Sequence, residues 1–124
     1  MITAVGLDII ELARVGRVWR RYPERFLERH FTPEEIRFCR GRRNPLPSLA
    51  ARFAAKEAFQ KCWPEPHGWR EVWVVRHGLK PKLAFSERIA RQLAASRLTA
   101  HLSLTHSKEH AAAVVILEQG SRDP

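Results

Sequence analysis

The chain has 124 residues, 44% of them hydrophobic and 28% charged, which is the balance of one globular domain and excludes both overall disorder and two independent cores. Twenty-two Lys and Arg against 13 Asp and Glu leave a formal charge of +9, favouring a polyanionic or acidic partner such as nucleic acid, a membrane surface, a phosphorylated metabolite or an acidic protein. No apolar run reaches the roughly eighteen residues a membrane span needs, and Asp8 and Glu11 interrupt the start where a secretory signal would sit, so a cytoplasmic protein with no membrane partner is expected.

Residues 2–10, ITAVGLDII, are β-branched and apolar and predict a mostly buried first strand, broken by Gly6 and Asp8. Leu12, Val15, Trp19 and Tyr22 then recur at helical spacing, with arginines filling much of the remaining surface. Pro23 can restart a helix at its first position, giving PERFLERH. Thr32-Pro33-Glu34-Glu35 is a capping box and predicts a helix from Pro33 to about Arg40. Gly41 to Pro47 reads as loop and carries the basic pair that ends the densest basic group, RGRR at 40–43. Ser48 caps the next predicted helix, LAARFAAKEAFQKCW, whose alanines permit close approach of another element such as the first strand.

After a turn at Pro64 to Gly68, Arg70 to Arg76 and Lys82 to Phe85 predict two strands. Ser86 caps a helix carrying Ile89 and Leu93, and AHLSLTHS and AAAVVILE predict two final strands joined through Lys108, Glu109 and His110. Alternation places His106 on the apolar side of its strand, unless a turn beginning there frees it. The fold class is α+β, a mainly antiparallel sheet packed against helices, forming one domain over 1–118 with a flexible tail at 119–124. Cys39 and Cys62, both within helices and without zinc-site spacing, are expected to be reduced and buried.

Two carboxylates are out of place: Asp8 in an apolar strand, and Glu57 on a helix face with Phe53 and Ala54. Such groups are costly to bury unless compensated. Brought together, they either share a proton or hold a divalent cation, and oxygen ligands without thiolates favour Mg²⁺ over zinc. Lys61 lies one turn beyond Glu57 and adds a cation to the same face. The plainer alternative is an ordinary Glu57–Lys61 helix pair, with Asp8 serving as a cap.

GLDIIELARV at 6–15, RFAAKEAFQK at 52–61 and SLTHSKEHAAAVVI at 103–116 together resemble the holo-acyl-carrier-protein synthase family, the small phosphopantetheinyl transferases, in order, spacing and coverage of nearly the whole domain. The resemblance implies Mg²⁺-dependent transfer of 4'-phosphopantetheine from coenzyme A to a serine of an acidic apo acyl carrier protein, releasing 3',5'-ADP, with fatty-acid synthesis as the default pathway. It implies that Asp8 and Glu57 hold the metal and that Lys61 acts with them at the phosphates. Arg52, Lys56, Lys61, Lys80 and His106 would then contact coenzyme A, with His106 at its nucleotide part. Arg14 matches a carrier-contacting position, and Arg17 and Arg21 extend it into a docking strip. The resemblance also implies a homotrimer with each active site between two subunits.

The sequence departs from the family pattern after Lys61. A glycine-rich loop near the cofactor phosphates is replaced by CWPEPHGW, and the later glycine turn, Gly78-Leu79-Lys80-Pro81, is one residue longer. Proline removes backbone donors, so the first loop cannot present the same N–H groups. A non-catalytic carrier-protein binder and a basic nucleic-acid-binding domain are the alternative readings, and neither needs the phosphoryl chemistry of Asp8 and Glu57.

Overall fold

The computed structural model describes residues 1–78 and 80–121. The elements run β1 (Ile2–Glu11), α1 (Leu12–Arg21), α2 (Pro23–His30), α3 (Pro33–Arg40), α4 (Pro45–Cys62), a 3-10 turn at Trp69–Glu71, β2 (Val72–His77), β3 (Lys80–Phe85), α5 (Glu87–Ala95), β4 (Leu98–His106) and β5 (His110–Gln119). The expected α+β class holds, but the strands form two sheets. One is three-stranded in the order β1-β5-β4 and the other is the β2-β3 hairpin, with every pairing antiparallel. The hairpin turns at Gly78, whose φ of 69° favours glycine; Leu79 of the longer turn lies outside the described residues.

Helix α4 is the axis of the molecule. Ala50, Ala51, Ala54, Ala55 and Ala58 are buried and let it lie against both β1 and β5 with no side chain holding them apart. The closest approach is at Gly6, where an added Cβ would lie 1.9 Å from the Ala58 carbonyl oxygen. One core packs α4 against the sheets and α5 through Phe59, Val72, Ile89, Val115 and Leu117; a second packs it against α1, α2 and α3 through Val15, Phe26, Leu27 and Phe31.

The capping box at Thr32 forms as the sequence predicts, with Thr32 Oγ1 accepting from the Glu35 N–H and Glu35 accepting from the Thr32 N–H. α4 begins earlier than expected: Asn44, not Ser48, is its cap, and its side chain accepts from Leu46 N–H. Pro45 and Pro47 fall in the first turn, where a missing N–H costs nothing. Cys39 and Cys62 are buried free thiols, both pushed up to about 11 chiefly by burial.

Three further expectations are corrected. The first strand is not mostly buried: Val5, Leu7 and Ile9 are 59% to 67% exposed, because α4 covers only the face carrying Ala4, Gly6, Asp8 and Ile10. Arg52 and Lys56, placed away from the apolar face of their helix, are both 3% exposed, because α4 is covered almost all round. Gln119, read as the start of a tail, closes β5, its N–H donating to Met1 O, and Gly120 N–H donates to Arg97 O. Residues 122–124 of that tail lie outside the described residues.

Candidate active site

The crossing of β1 and α4 at Gly6 and Ala58 brings the two anomalous carboxylates together. Asp8 stands two residues along the strand from that contact and Glu57 one residue before it on the helix, and both line a cavity of about 300 Å³. Arg14 lies on the same rim, and Val15, Val18, Phe26, Phe53 and His30 build the walls. The Glu57 carboxyl is pushed above its ordinary range, first by burial and then by the neighbouring negative charge of Asp8. Lys61 answers that charge, donating 3.1 Å to Asp8 Oδ1 and 2.7 Å to the Leu7 carbonyl. The plainer alternative of a Glu57–Lys61 helix pair therefore does not form; the lysine crosses to the strand.

This donor set fits a magnesium ion. Mg²⁺ needs only one or two carboxylates and keeps waters or substrate phosphates in its remaining positions. Among the described residues no three His, Cys, Asp or Glu cluster into a closed cage. His30 on the pocket wall uses Nδ1–H toward Phe26 O at 2.8 Å, and burial holds its pKa below the ordinary imidazole value.

Lys56, a candidate coenzyme A contact, is committed elsewhere. Its Nζ donates to Glu35 Oε1 at 2.7 Å, Trp69 O at 2.9 Å and Val72 O at 2.7 Å, which fills all three of its donor positions and leaves none for a phosphate. The other Glu35 oxygen accepts from Val74 N–H at 3.0 Å, so one carboxylate ties α3, α4 and β2 together. Sequence reading found Glu35 only as a cap residue. Its second role had no local signal, because the partners lie 21 and 39 residues away.

Lys56→Ala should therefore cost about 3–5 kcal/mol by leaving Glu35 charged and unpaired in the core. Denaturant unfolding checks this, and a loss below about 1 kcal/mol would mean that the pair contributes little.

Apart from Arg14, the remaining candidates do not line the carboxylate pocket. His106 is exposed at the end of β4, beyond the cover of α4, and lines a basic pocket with Arg42, Arg43, Asn44 and Ser48. Arg42 and Arg43 belong to the RGRR run, which the sequence reading registered only as charge. Arg52 lies one turn below Ser48, donating to its carbonyl at 3.4 Å with its guanidinium 4.2 Å from the Phe38 ring centre. From Ser48 to Glu57 is about 13 Å along the helix. Lys80 lines a separate groove of about 620 Å³ between β3 and β4. Arg14, Arg17 and Arg21 are exposed and share one face of α1, while Arg21 and Arg25 both lie over the Tyr22 ring.

Comparison with known proteins shows the family and the fold. The sequence profile of the 4'-phosphopantetheinyl transferase superfamily matches residues 4–115, and the chain belongs to that superfamily. Within it, the chain is a member of the small, single-domain holo-acyl-carrier-protein synthase family. It is 54% identical over 122 residues to the holo-acyl-carrier-protein synthase of Thermus thermophilus, covering 98% of each chain. It is 52% identical over 126 residues to that of Deinococcus radiodurans, covering 95% of this chain and 94% of that one. Among solved structures, the synthase from Neisseria meningitidis superimposes with a TM-score of 0.87 at 29% identity over 96% of this chain and 100% of the other. The Bacillus anthracis synthase, solved in complex with coenzyme A (3',5'-ADP), gives 0.79 at 32% identity over 97% and 99%.

Proposed function

We infer that this chain transfers 4'-phosphopantetheine from coenzyme A to a serine hydroxyl of an apo acyl carrier protein, releasing 3',5'-ADP. The observation that carries the reading is the meeting of Asp8 and Glu57 on one pocket rim, with Lys61 and Arg14 beside them, in a member of this family. Asp8 and Glu57 would hold a Mg²⁺ ion, which when bound would polarise the transferred phosphoryl group and offset charge on the 5'-phosphate of the leaving 3',5'-ADP. Lys61, paired with Asp8, would turn its ammonium to the phosphoryl oxygens in this reading. Glu57, or a water held by the metal, would take the serine proton, with the carboxylate favoured in this reading. Val15, Val18, Phe26 and Phe53 give the pocket an apolar wall beside Glu57.

His106, with Arg42 and Arg43, supplies a basic pocket suited to the nucleotide end of coenzyme A, and Lys80 supplies a second basic wall. The exposed Arg14, Arg17 and Arg21 form the surface for an acidic carrier, which they would steer and dock electrostatically. The +9 charge thus has two recipients, the coenzyme and the carrier. Among the described residues no helix is long and apolar enough to cross a membrane.

The chain works as a homotrimer with shared sites in this reading. Val5, Leu7 and Ile9 stand opposite Ile116, Val114 and Ala112 on the outer face of the three-stranded sheet, giving an apolar surface that no element among the described residues covers. A second copy of that face is its natural cover. It would also bring a neighbour's His106 and Lys80 toward the acidic pair. Leu7→Glu should convert a particle of three chains into monomers and remove transfer, as read by light scattering behind size exclusion. A wild-type monomer that still transfers would refute the shared site.

The decisive experiment mixes the protein with coenzyme A, Mg²⁺ and apo acyl carrier protein and reads the carrier's intact mass. A phosphopantetheine gain that disappears when Mg²⁺ is chelated supports the reading. An unmodified carrier, together with no binding of coenzyme A, refutes it.

A further inference from the structure

Apart from the charged rim of Asp8, Arg14 and Glu57, every side chain lining the carboxylate pocket is apolar except that of His30. Four aromatic rings hold its imidazole in place. Phe26 lies at 4.9 Å between ring centres, Trp69 at 5.0 Å, Phe53 at 5.5 Å and Phe31 at 6.4 Å. Phe53 in turn stacks on both Phe26 and Trp69, and Trp69 O accepts from the buried Lys56. The ring therefore stands in a braced cluster that leaves it little freedom to turn.

The one hydrogen bond of His30 among the described residues joins Nδ1 to Phe26 O at 2.8 Å. A carbonyl oxygen only accepts, so Nδ1 carries the proton and Nε2 of the neutral ring is an acceptor. Burial first, and then the positive charges of Arg29 and Lys56, hold the pKa below the ordinary imidazole value against the opposing Phe26 bond, which keeps the ring neutral at pH 7. A fixed acceptor on an otherwise apolar wall is a selective device: it fixes the orientation of an entering donor and disfavours a group that has none.

The elements around His30 say which group enters. Helix α1 supplies Val15 and Val18 to the pocket wall and presents Arg14, Arg17 and Arg21 on its exposed face. Val18 is 42% exposed, with Arg14 and Arg21 one turn to either side of it, so the apolar wall continues into the basic face. An acidic partner lying along those arginines covers the pocket that His30 lines. The basic pockets suited to the coenzyme are lined by other elements, around Arg42 and His106 and along β3 and β4.

We propose that His30 is a specificity-determining residue for the carrier: Nε2 faces the pocket and accepts a hydrogen bond from the segment that brings the serine to Asp8 and Glu57. The inference rests on the proposed function and assigns the one polar contact of the pocket's apolar wall to the carrier.

The test compares wild type, His30→Phe and His30→Gln by calorimetric binding of apo acyl carrier protein and of coenzyme A, and by steady-state transfer. The phenylalanine keeps a ring and deletes the acceptor, whereas the glutamine deletes the ring and keeps an acceptor oxygen. His30→Phe should raise Kd and KM for the carrier roughly tenfold and leave those for coenzyme A unchanged. His30→Gln should bring the carrier constants back to within about threefold of wild type. Folded His30→Phe protein with wild-type affinity for the carrier overturns the proposal. So does a rise shared equally by both substrates, or by both variants, since either marks a disturbed wall and not a lost acceptor. If His30→Phe does not fold, His30→Leu replaces it under the same criteria. Wild-type protein that neither binds coenzyme A nor modifies a carrier removes the underlying function, and this inference with it, which separates the two failures.

Discussion

Neutralising either carboxylate, as Asp8→Asn or Glu57→Gln, should lower carrier modification by roughly a thousandfold or more while the protein stays folded. Both changes keep the shape of the side chain, and both positions face a pocket instead of packed core, so neither opens a cavity. Asp8→Asn still leaves Lys61 its 2.7 Å bond to the Leu7 carbonyl, which holds the lysine near the strand. What disappears is the pair of anionic oxygens able to hold a divalent cation against a diphosphate. Single-turnover transfer read by intact mass, with calorimetric titration of Mg²⁺, checks both halves of the statement. Retention of more than about a tenth of wild-type rate in both variants would show that the chemistry does not run through this pair.

Gly6→Ala should be the most damaging change that leaves every titratable group in place. Its Cβ would fall 1.9 Å from the Ala58 carbonyl oxygen, a backbone atom that no rotamer change can move aside. Relief requires β1 and α4 to separate, which disrupts the crossing on which the alanine-lined packing depends. A cost of about 3 kcal/mol or more follows, at the upper end for overpacking. The functional loss should exceed the loss of stability, because the same separation pulls Asp8 from Glu57, and displacement of about 1 Å at a reacting centre costs on the order of a hundredfold. Denaturant unfolding beside single-turnover rates tests this. A variant with wild-type rate would mean that the crossing tolerates a Cβ and does not set the carboxylate spacing.

What could be read from the sequence was whatever showed itself within one turn or one strand. Thr32 and Glu35 announce a helix start through capping chemistry that is complete in four residues. Asp8 and Glu57 are legible as charges that violate the pattern around them, and the structure does place them on one pocket. The start of α4 was misplaced because Pro45 and Pro47 are helix breakers everywhere except in a first turn, which is where they stand. The Lys56–Glu35 pair was invisible for a different reason: each residue alone looks like part of a solvated helix face, and only the packing of α3 on α4 shows otherwise. Likewise β1 reads as a core strand because its apolar residues occur on both faces; nothing local says that one face stays outside the chain's own core.

With that outward face covered by assembly, as proposed, the protein's behaviour would depend on how much of it there is. Ile2, Val5, Leu7 and Ile9 lie on an edge strand, where unpaired apolar surface invites adventitious pairing when the right neighbour is scarce. With assembly as the cover, specific activity would fall on dilution and recover on concentration, and apparent melting temperature would climb with protein concentration. Slow synthesis in a cell would leave newly made chains waiting for one another, with their most adhesive strand uncovered.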